Sequence, residues 1–422
     1  MRALVLGGYG LIGSEIVRRL RDDGVEVIGF GRSAKKGERL VPGIAWRGAD
    51  LASLRSEADW LPFLAGIDAV VNASGALQDG AMDNLATAQD LSIRALIAAC
   101  EKSGVRRFVQ ISAPGADEGA ATAFMRTKAS ADAALRRSAL VWTIFKPGLV
   151  ISAYAYGGTA LMRMLAAFPL VQPLVHGGAK IQTVAASDVA EAVSVALATD
   201  RLNGQDIDLV ERSPRTLRDI IAAMRAWLGF DTAVAVIEAP AFVGAGVARA
   251  ADIAGWLGWR SPLRTTALKV LANNVLGDAD AGERALGRPL KSLEESLRAL
   301  PATLQERTAA RAQLVFPVLV ITLAVFWIVS GIVAILHADA ATAVLSGTAA
   351  EPFARALVIG GALLDIAIGA GVCVRAWTRA AAGASIGVAF AYLALGTILT
   401  PALWGDPLGP FVKELPAIAL GM

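Results

Sequence analysis

The pattern of apolar and polar positions divides the chain into two regions. Up to about residue 210, short apolar runs alternate with segments in which apolar residues recur every three or four positions. Short runs bounded by glycine and polar residues predict strands, and the three-to-four spacing predicts helices. After residue 313 the chain consists mainly of long uninterrupted apolar runs. The two regions are therefore expected to fold in different environments.

Six apolar runs in the first region predict strands. Strands that alternate with helices imply a parallel, doubly wound α/β sheet, which binds ligands at the carboxyl ends of its strands. The helices predicted between them include Ile12–Arg21, Leu85–Lys102 and Ala123–Arg136. The predicted strands are Arg2–Leu6, Val25–Phe30, Ile44–Trp46, Ala69–Asn72, Phe108–Ile111 and Trp142–Phe145.

The second region predicts transmembrane helices. Leu314–Leu336 and Ala380–Thr400 contain no charged residue, and Ala356–Val374 contains one, Asp365. At about 1.5 Å per residue such stretches cross a hydrocarbon core of about 30 Å. Three buried helices of a large soluble core are disfavoured by these lengths. For Asp365 three interpretations stay open: a functional polar group in the membrane, a structural hydrogen bond between helices, or a side chain that snorkels to water.

The basic residues beside these spans predict their orientation. Arg307 and Arg311 precede the first span, and Arg375 and Arg379 lie between the second and third. The opposite side has only Arg355 and Lys413. Basic residues favour the cytoplasmic side of a membrane. We therefore expect a multi-pass protein of the cytoplasmic (inner) membrane, with residues 1–313 (the front) facing the cytoplasm and the apolar region after residue 313 forming the tail.

A fourth apolar segment follows Glu414, and only eight residues of it are present. Eight residues are too few to cross a membrane. Either the chain ends on the far side, or the sequence is a shortened version of a four-span protein. We favour the second alternative, because the apolar pattern stops in its middle.

Composition agrees with this division. The 422 residues are 55% hydrophobic and 18% charged, and only nine of the 77 charged residues follow position 313. We therefore predict a nucleotide-binding core at 1–150, a substrate lobe with membrane-proximal helices at 151–313, and a transmembrane bundle at 314–422. A net charge of +3 indicates no nucleic-acid partner. Two histidines and two cysteines supply neither a metal cluster nor a disulfide framework, so no metal is expected.

A glycine-rich turn connects the first strand to the first helix. Gly8, Gly10 and Gly13 match the spacing G-x-G-x-x-G, and Gly7, Gly10 and Gly13 match a variant of it. In a Rossmann fold such glycines allow a tight turn, close approach to a pyrophosphate, and close packing of helix on strand. A secretory signal is excluded, because glycines interrupt the apolar run and Glu15 follows at once.

The end of the second strand indicates which dinucleotide binds. NAD-binding proteins carry an acid there for the ribose 2′-hydroxyl. Here no acid occurs between Glu26 and Glu38, and Arg32 and Ser33 follow the strand. An arginine suits a 2′-phosphate, so NADP(H) is favoured over NAD(H). The alternative is a solvated basic loop.

Together these residues resemble the short-chain dehydrogenase/reductase superfamily, in its extended or atypical branch. The front is most similar in character to the NAD(P)H-binding relatives of the accessory subunit of respiratory complex I. The tail resembles a DoxX-like four-helix domain. The motifs that carry the resemblance are the glycine turn, Asp50-Leu51, Asn72-Ala73-Ser74-Gly75, Ser112, Lys128 and Pro147-Gly148.

The resemblance implies a cofactor site that runs along the ends of the strands. The turn would hold the pyrophosphate, Asp50 and Leu51 would contact the adenine, and the segment after the fourth strand would line the middle of the cofactor. The implied cofactor-binding residues are Gly7, Gly8, Tyr9, Gly10, Leu11, Ile12, Gly13, Arg32, Ser33, Asp50, Leu51, Ala73, Ser74, Gly75, Ser112, Lys128, Pro147, Gly148 and Leu149.

The resemblance also implies catalytic roles and reveals one departure. Ser112 would orient a substrate carbonyl or hydroxyl, and Lys128 would hold the nicotinamide ribose and activate a tyrosine four residues earlier. That position is Phe124, which has no proton to give. Ser112 also fits a turn serine, and Lys128 a solvated helix lysine. Replacement acids could come from Thr127, Tyr154 or Tyr156.

Two functional hypotheses follow from this departure. One is an atypical membrane-anchored oxidoreductase or epimerase that acts on an apolar, quinone-like or lipid-like small molecule. The other is a non-catalytic NADP(H)-binding scaffold or redox sensor, with a membrane protein complex as partner. Transport through the tail, with Asp365 as a relay, is the least favoured.

Between the two regions the sequence predicts further elements of the substrate lobe. Gln182–Val189 opens a helix capped by Ser187 or Asp188, Asp206–Val210 is a strand, and Thr216–Leu228 is an amphipathic helix. The apolar segment Ala239–Trp259 predicts either an interfacial helix or a helix buried in the lobe. An interfacial helix would favour an apolar substrate such as a quinone, isoprenoid or steroid-like lipid, with membrane lipid as a partner.

Overall fold

The computed structural model describes residues 1–76, 78–81, 84–154, 156–407 and 409–422. The chain forms two compact units. The first contains Met1–Gly255 and Ser261–Arg311, and the second contains Trp256–Arg260 and Ala312–Met422. The domain boundaries drawn from the sequence at 150 and 313 stay predictions.

The first unit contains the β-strands. They are β1 Arg2–Leu6, β2 Glu26–Gly31, β3 Ala45–Gly48, β4 Ala69–Asn72, β5 Arg107–Ile111, β6 Val141–Pro147, β7 Leu149–Ile151, β8 Val171–Leu174, β9 Lys180–Ile181, β10 Thr183–Ala185, β11 Gln205–Leu209, β12 Arg215–Thr216 and β13 Ala235–Glu238.

Helices connect the strands and form the tail. They are α1 Gly13–Asp22, α2 Ala34–Leu40, α3 Glu57–Leu64, α4 Ser92–Ser103, α5 Ala123–Arg137, α6 Gly157–Ala166, α7 Ala186–Ala198, α8 Leu217–Trp227, α9 Ala241–Trp256, α10 Thr265–Ala272, α11 Ala279–Leu286, α12 Leu293–Arg298, α13 Leu304–Leu336, α14 Ala338–Ala343, α15 Ala354–Cys373, α16 Thr378–Leu399 and α17 Pro410–Gly421. A π-helical turn, Ala86–Leu91, precedes α4, and short 3₁₀ turns occupy Leu51–Ser53, Glu351–Phe353 and Pro401–Gly405.

Seven strands form one parallel sheet in the order β11-β6-β5-β4-β1-β2-β3. The predicted doubly wound α/β fold is therefore confirmed. In this order β1 lies between β2 and β4, so the direction of winding reverses at β1. Leu6, the last residue of β1, is level with Phe30 and Asn72 on its two neighbours. Open α/β sheets bind ligands beside such a reversal point.

Alternating residues of β1 point into two hydrophobic cores, one on each face of the sheet. Ala3 and Val5 belong to one buried cluster, together with Ile16 of α1 and Val193 of α7. Leu4 and Leu6 belong to a second cluster on the other face, which includes residues of α3 and α4. Since both faces of the strand are buried, its sequence is a continuous apolar run.

One predicted strand belongs to a different part of the fold than expected. The segment assigned to the substrate lobe, Asp206–Val210, forms β11, which pairs along β6 from Thr143 to Pro147. The expectation of a lobe strand was wrong, because α7 and β11 continue the helix–strand alternation and complete the edge of the main sheet.

The predicted capping of the helix near residue 187 was also wrong. Helix α7 begins at Ala186, and no side chain caps it. Asp188 lies inside the first turn and is fully buried. Its carboxylate accepts hydrogen bonds from the backbone N–H of Lys291 and the guanidinium of Arg288, both at 2.8 Å. These partners are distant in sequence, so local pattern did not indicate them.

A third buried cluster in the first unit lies among helices beside the main sheet. It joins α6, α8 and α12 through residues such as Leu161, Ile220 and Leu293. The Thr216 side chain accepts a hydrogen bond from the backbone N–H of Asp219, and the Asp219 side chain accepts one from the backbone N–H of Thr216. The predicted amphipathic helix, α8, therefore starts with a capping box.

The second unit contains helices that are long and apolar enough to cross a membrane. They lie within Leu304–Leu336, Glu351–Cys373 and Thr378–Leu399. Asp365 of α15 accepts hydrogen bonds from Tyr392 of α16 at 2.8 Å and from Ser330 of α13 at 3.3 Å. It therefore links three helices, as in the structural interpretation of this residue. The last helix, α17, begins at Pro410 rather than after Glu414 as expected, because the apolar residues that precede Glu414 belong to the same helix.

We expect Gly13→Ala to destabilise the first unit strongly. A Cβ at this position would lie 2.2 Å from the carbonyl oxygen of Gly7, so the turn would have to shift. Overpacking of this kind costs about 1–3 kcal/mol. The measurement is the midpoint of thermal unfolding in detergent. Gly178→Ala is the matched control, because its Cβ would meet nothing within 4 Å. Equal midpoints for the two variants would contradict the packing described.

Candidate functional site

The glycine turn brings three backbone segments into close contact at the end of β1. Gly7 has a φ of +69°, and its N–H donates to the carbonyl of Phe30 at 2.9 Å. A Cβ on Gly7 would lie 2.8 Å from the carbonyl oxygen of Ala73, in the loop after β4. Gly13 packs equally tightly on Gly7. Glycine is therefore required at both positions by the fold itself.

Gly10 differs from these two glycines. A Cβ there would meet only the Gly7 carbonyl oxygen within 4 Å, at 3.0 Å. Helix α1 begins three residues later, and no side chain caps its N-terminus. The first N–H groups of an uncapped helix can bind phosphate oxygens. The turn Gly7, Gly8, Tyr9, Gly10, Leu11, Ile12 and Gly13 thus fits a pyrophosphate.

Basic and aromatic side chains surround the end of β2. The Tyr9 ring lies against Gly31, where a Cβ would be 2.4 Å from Tyr9 Cε1. The same ring packs on Trp46 at a centroid distance of 5.6 Å, and the Lys36 ammonium lies 5.6 Å from its centroid. Arg32 follows Gly31 directly and is exposed. The contacts of Tyr9 with Trp46 and Gly31 are tertiary, and the glycine motif did not reveal them.

Two predicted cofactor-binding residues cap local structure. The Ser33 hydroxyl accepts a hydrogen bond from the N–H of Lys36 at 3.2 Å and so caps α2. Asp50 accepts from the N–H of Ala52 at 3.1 Å and caps the 3₁₀ turn that contains Leu51. Their roles toward a cofactor stay predictions.

Lys128 ties together the ends of β4 and β5. Its ammonium donates to the carbonyl of Ser74 at 3.2 Å and to that of Ile111 at 2.8 Å. A Cβ on Gly75 would lie only 3.5 Å from Lys128 Nζ. The side chain is 5% exposed, so the alternative of a solvated helix lysine is excluded. The structure thus places Ser74 and Gly75 beside one buried positive charge, and Ala73 beside Gly7 of the glycine turn.

Burial shifts the titration of this lysine. Loss of hydration lowers the pKa of Lys128 to about 8, and the nearby Asp132 carboxylate offsets only part of the effect. The group is then largely charged at pH 7 and becomes neutral within the range in which enzymes are assayed.

Asp132 is a site residue that sequence analysis missed. It lies one turn after Lys128 on α5, and its carboxylate accepts a hydrogen bond from the Ser112 hydroxyl. Asp132 is 1% exposed, and its Oδ1 has no hydrogen-bond partner among the residues that the structure describes. Burial raises the pKa of this carboxyl above its usual value. The spacing of four residues from Lys128 was the available signal.

Thr127 and Tyr154, two candidate replacements for the missing tyrosine, make hydrogen bonds to other groups. The Thr127 hydroxyl donates to the carbonyls of Ala123 and Phe124, within its own helix. The Tyr154 hydroxyl accepts from the guanidinium of Arg18 on α1, and the ring is 42% exposed. Tyr156 is also exposed and precedes α6. Phe124 lies one turn before Lys128 with its side chain half-buried.

The segment after β6 is held by backbone pairing. Pro147 ends β6 opposite Leu209, and the N–H of Gly148 donates to the Leu209 carbonyl at 3.0 Å. A Cβ on Gly148 would lie 2.4 Å from the carbonyl oxygen of Gln182. The N–H of Leu149 donates to the same Gln182 carbonyl. Gly148 is thus required by close packing, and a role beside the nicotinamide stays a prediction for all three residues.

A parallel sheet with a glycine turn at its reversal point, beside a buried lysine, defines a dinucleotide-binding protein of the Rossmann class. Comparison with protein families agrees. Residues 7–200 match the NAD(P)H-binding family, and residues 324–422 match the DoxX-like family. The chain therefore joins an NAD(P)H-binding domain to a DoxX-like domain, and the predicted combination is confirmed.

The chain is similar in sequence to part of one reductase. A 2-alkyl-3-oxoalkanoate reductase from Stenotrophomonas maltophilia is 35% identical over 115 residues, which cover 27% of this chain and 34% of that protein. The chain thus spans about a third of this relative's length.

Two solved structures have the same fold at low identity. An NADPH-dependent quinone oxidoreductase from Escherichia coli, complexed with NADPH, is 19% identical with a TM-score of 0.54 and covers 71% of this chain and 99% of its own. A triphenylmethane reductase from Citrobacter sp., complexed with NADP(H), is 16% identical with a TM-score of 0.55 and covers 71% of this chain and 100% of its own. At these identities the likeness concerns the fold alone.

We expect the affinity for NADPH to fall as the pH rises through about 8. Below that pH the Lys128 ammonium is charged and can donate to the cofactor ribose, and above it the amine is neutral. The measurement is the dissociation constant of NADPH between pH 7 and pH 9.5, by fluorescence titration. In Lys128→Met the affinity should be lower at pH 7 and nearly independent of pH. A pH dependence that persists in this variant would show that another group titrates.

Proposed function

We propose that this chain is a membrane-anchored, NADPH-preferring reductase that transfers a hydride to a quinone-like acceptor. The observation that carries the proposal is Phe124. It stands where a proton donor is expected, beside a lysine that is buried, charged at pH 7 and held against the ends of two strands. The residues expected to bind the cofactor are thus present without the usual acid. This combination favours a reaction that needs no proton donor from the protein.

The chemistry of the acceptor explains why. Bound NADPH would supply a hydride. Adding it to a ketone gives an alkoxide, a strong base that must be protonated by an enzyme acid. Adding it to a quinone gives a hydroquinone anion, whose oxygen resembles a tyrosinate with a pKa of about 10. Such a product can take its proton from water, so Phe124 is compatible with quinone reduction and unfavourable for ketone reduction.

The neighbouring residues have roles that fit this proposal. Lys128 would hold the nicotinamide ribose through charge-assisted hydrogen bonds. Asp132 orients the Ser112 hydroxyl, and this hydroxyl would position the acceptor oxygen. Phe124 would offer an apolar surface to a planar acceptor ring.

The preference for NADPH rests on the end of β2. Arg32 is exposed there, no acidic residue occurs between Glu26 and Glu38, and Lys36 lies over Tyr9. This set of charges favours a 2′-phosphate. The two solved relatives described above, crystallised with NADPH or NADP(H), support the same choice.

The membrane unit supports an acceptor that dissolves in lipid. The three long apolar helices would anchor the protein in the inner membrane. Arg307, Arg311, Arg375 and Arg379 favour a cytoplasmic front, where NADPH is available. Quinones reside in the same membrane, so anchoring would raise the frequency of encounter.

The proposal is tested by NADPH oxidation with the full chain in lipid nanodiscs. We expect turnover with a short-chain benzoquinone and little with an aliphatic ketone. Phe124→Tyr restores a hydroxyl one turn before Lys128 and should raise the ketone rate, since a placed acid contributes about 10²–10⁴-fold. The quinone rate should change little. A wild-type protein that reduces ketones as fast as quinones would contradict the argument from Phe124.

We expect Arg32→Ala to remove most of the preference for NADPH over NADH. A hydrogen bond to a charged group contributes about 1.5–3 kcal/mol, which corresponds to about 10–100-fold in affinity. The measurement is the ratio of the two dissociation constants. Arg39→Ala is the matched control, because Arg39 is also exposed and lies on α2. Equal affinities of the wild-type protein for both cofactors would refute the proposed preference.

A second function is favoured by the same residue. Without an acid at position 124, the domain could bind NADP(H) as a scaffold or redox sensor of a membrane complex. In that case the full chain would bind NADPH tightly, and no acceptor would accelerate its oxidation. The turnover experiment therefore separates the two functions.

A further inference from the structure

Helix α9, Ala241–Trp256, has its apolar face outward. The residues that it buries are small: Gly244, Ala248 and Gly255. Its large apolar side chains are exposed instead, with Phe242 at 76% and Ile253 at 66% of their possible area. A helix on the surface of a soluble domain normally has the opposite arrangement. The predicted alternative of a helix buried in the lobe is thereby excluded.

Specific contacts fix the inner face of α9. Asp252 accepts hydrogen bonds from the Thr265 hydroxyl at 2.7 Å, from Gln78 at 2.8 Å and from the Arg264 guanidinium at 3.1 Å. A Cβ on Gly244 would lie 2.8 Å from the Val175 side chain. Rotating the helix to bury its large residues would break this polar network and create clashes. The exposure is therefore built into the fold.

The exposed residues form one stripe. Phe242, Gly246, Arg249, Ile253 and Trp256 follow one another at intervals of four and three residues, which places them on a single face. Leaving large apolar side chains in water instead of burying them is unfavourable. The long side chain of Arg249 can extend from such a face toward phosphate groups. The stripe therefore matches a surface that is apolar in its interior and anionic at its border.

The chain itself indicates what covers it. Directly after α9, residues Trp256–Arg260 belong to the second unit. The Trp259 indole donates to the carbonyl of Cys373, the last residue of α15, at 2.6 Å. Its ring lies 5.9 Å from the Phe316 ring of α13 and 5.2 Å from the Arg375 guanidinium. Tryptophan and arginine at the ends of spanning helices mark the membrane interface.

We propose that α9 lies in the membrane interface, with Phe242, Ile253 and Trp256 inserted among the lipid acyl chains and Arg249 near the phosphates. Its C-terminal end is covalently joined to a segment that already packs at the ends of the spanning helices. The C-terminal end of α9 is thus expected to lie next to the lipid surface. Interfacial helices of this kind insert about 5–10 Å. The inference does not depend on the reaction that the site catalyses.

The test is the lipid exposure of α9 in the full chain, reconstituted singly into nanodiscs. Spin labels are placed at Ile253→Cys and Phe242→Cys, in a background with Cys373→Ser; Cys100 is buried and is left in place. Leu61→Cys is the matched control, because Leu61 is an exposed apolar residue on helix α3. Collision rates with oxygen, which concentrates in lipid, and with a water-soluble nickel chelate are then measured by electron paramagnetic resonance.

We expect the oxygen-to-nickel collision ratio to be several-fold higher at positions 253 and 242 than at 61. Equal ratios at all three positions would overturn the proposal, because α9 would then face water. Low collision rates with both reagents would also overturn it, since they indicate a covering protein. NADPH binding by each labelled variant, measured in parallel, confirms that the fold is retained.

Discussion

The arrangement of the first unit depends on the absence of side chains at the end of β1. Gly7 approaches the backbone of Ala73 and Gly13 approaches that of Gly7, at distances that leave no room for a Cβ. These approaches bring the loop after β4 and the start of α1 to the same point. Lys128 is then close enough to donate to the carbonyl of Ser74. The position of the lysine thus follows from the packing of the turn.

Burying Lys128 and Asp132 costs stability, which the packed sheet must offset. Loss of hydration lowers the pKa of the lysine and raises that of the carboxyl, so burial opposes the charged form of each. A structural role alone would be served by apolar side chains. In the function proposed for this site, the pair would prepare it for a charged ligand and a polar acceptor.

The two units expose different kinds of surface. The first unit buries apolar residues on both faces of its sheet, whereas the long apolar helices of the second unit expose residues such as Ile321 and Leu363. Helix α9 belongs to the first unit but has the exposure pattern of the second. Its inner face requires small residues and Asp252, and its outer face is apolar. An interfacial environment satisfies both requirements.

Local pattern determined the first six strands of the main sheet, the long apolar helices, the glycine turn and the absence of tyrosine at position 124, because each depends on neighbouring residues alone. Tertiary structure decided that β11 completes the main sheet, that Asp188 is bound by Arg288 and Lys291, and that Asp132 accepts from Ser112. These contacts join residues 20 or more positions apart. Periodicity carries no information about such pairs, since only chain packing brings them together.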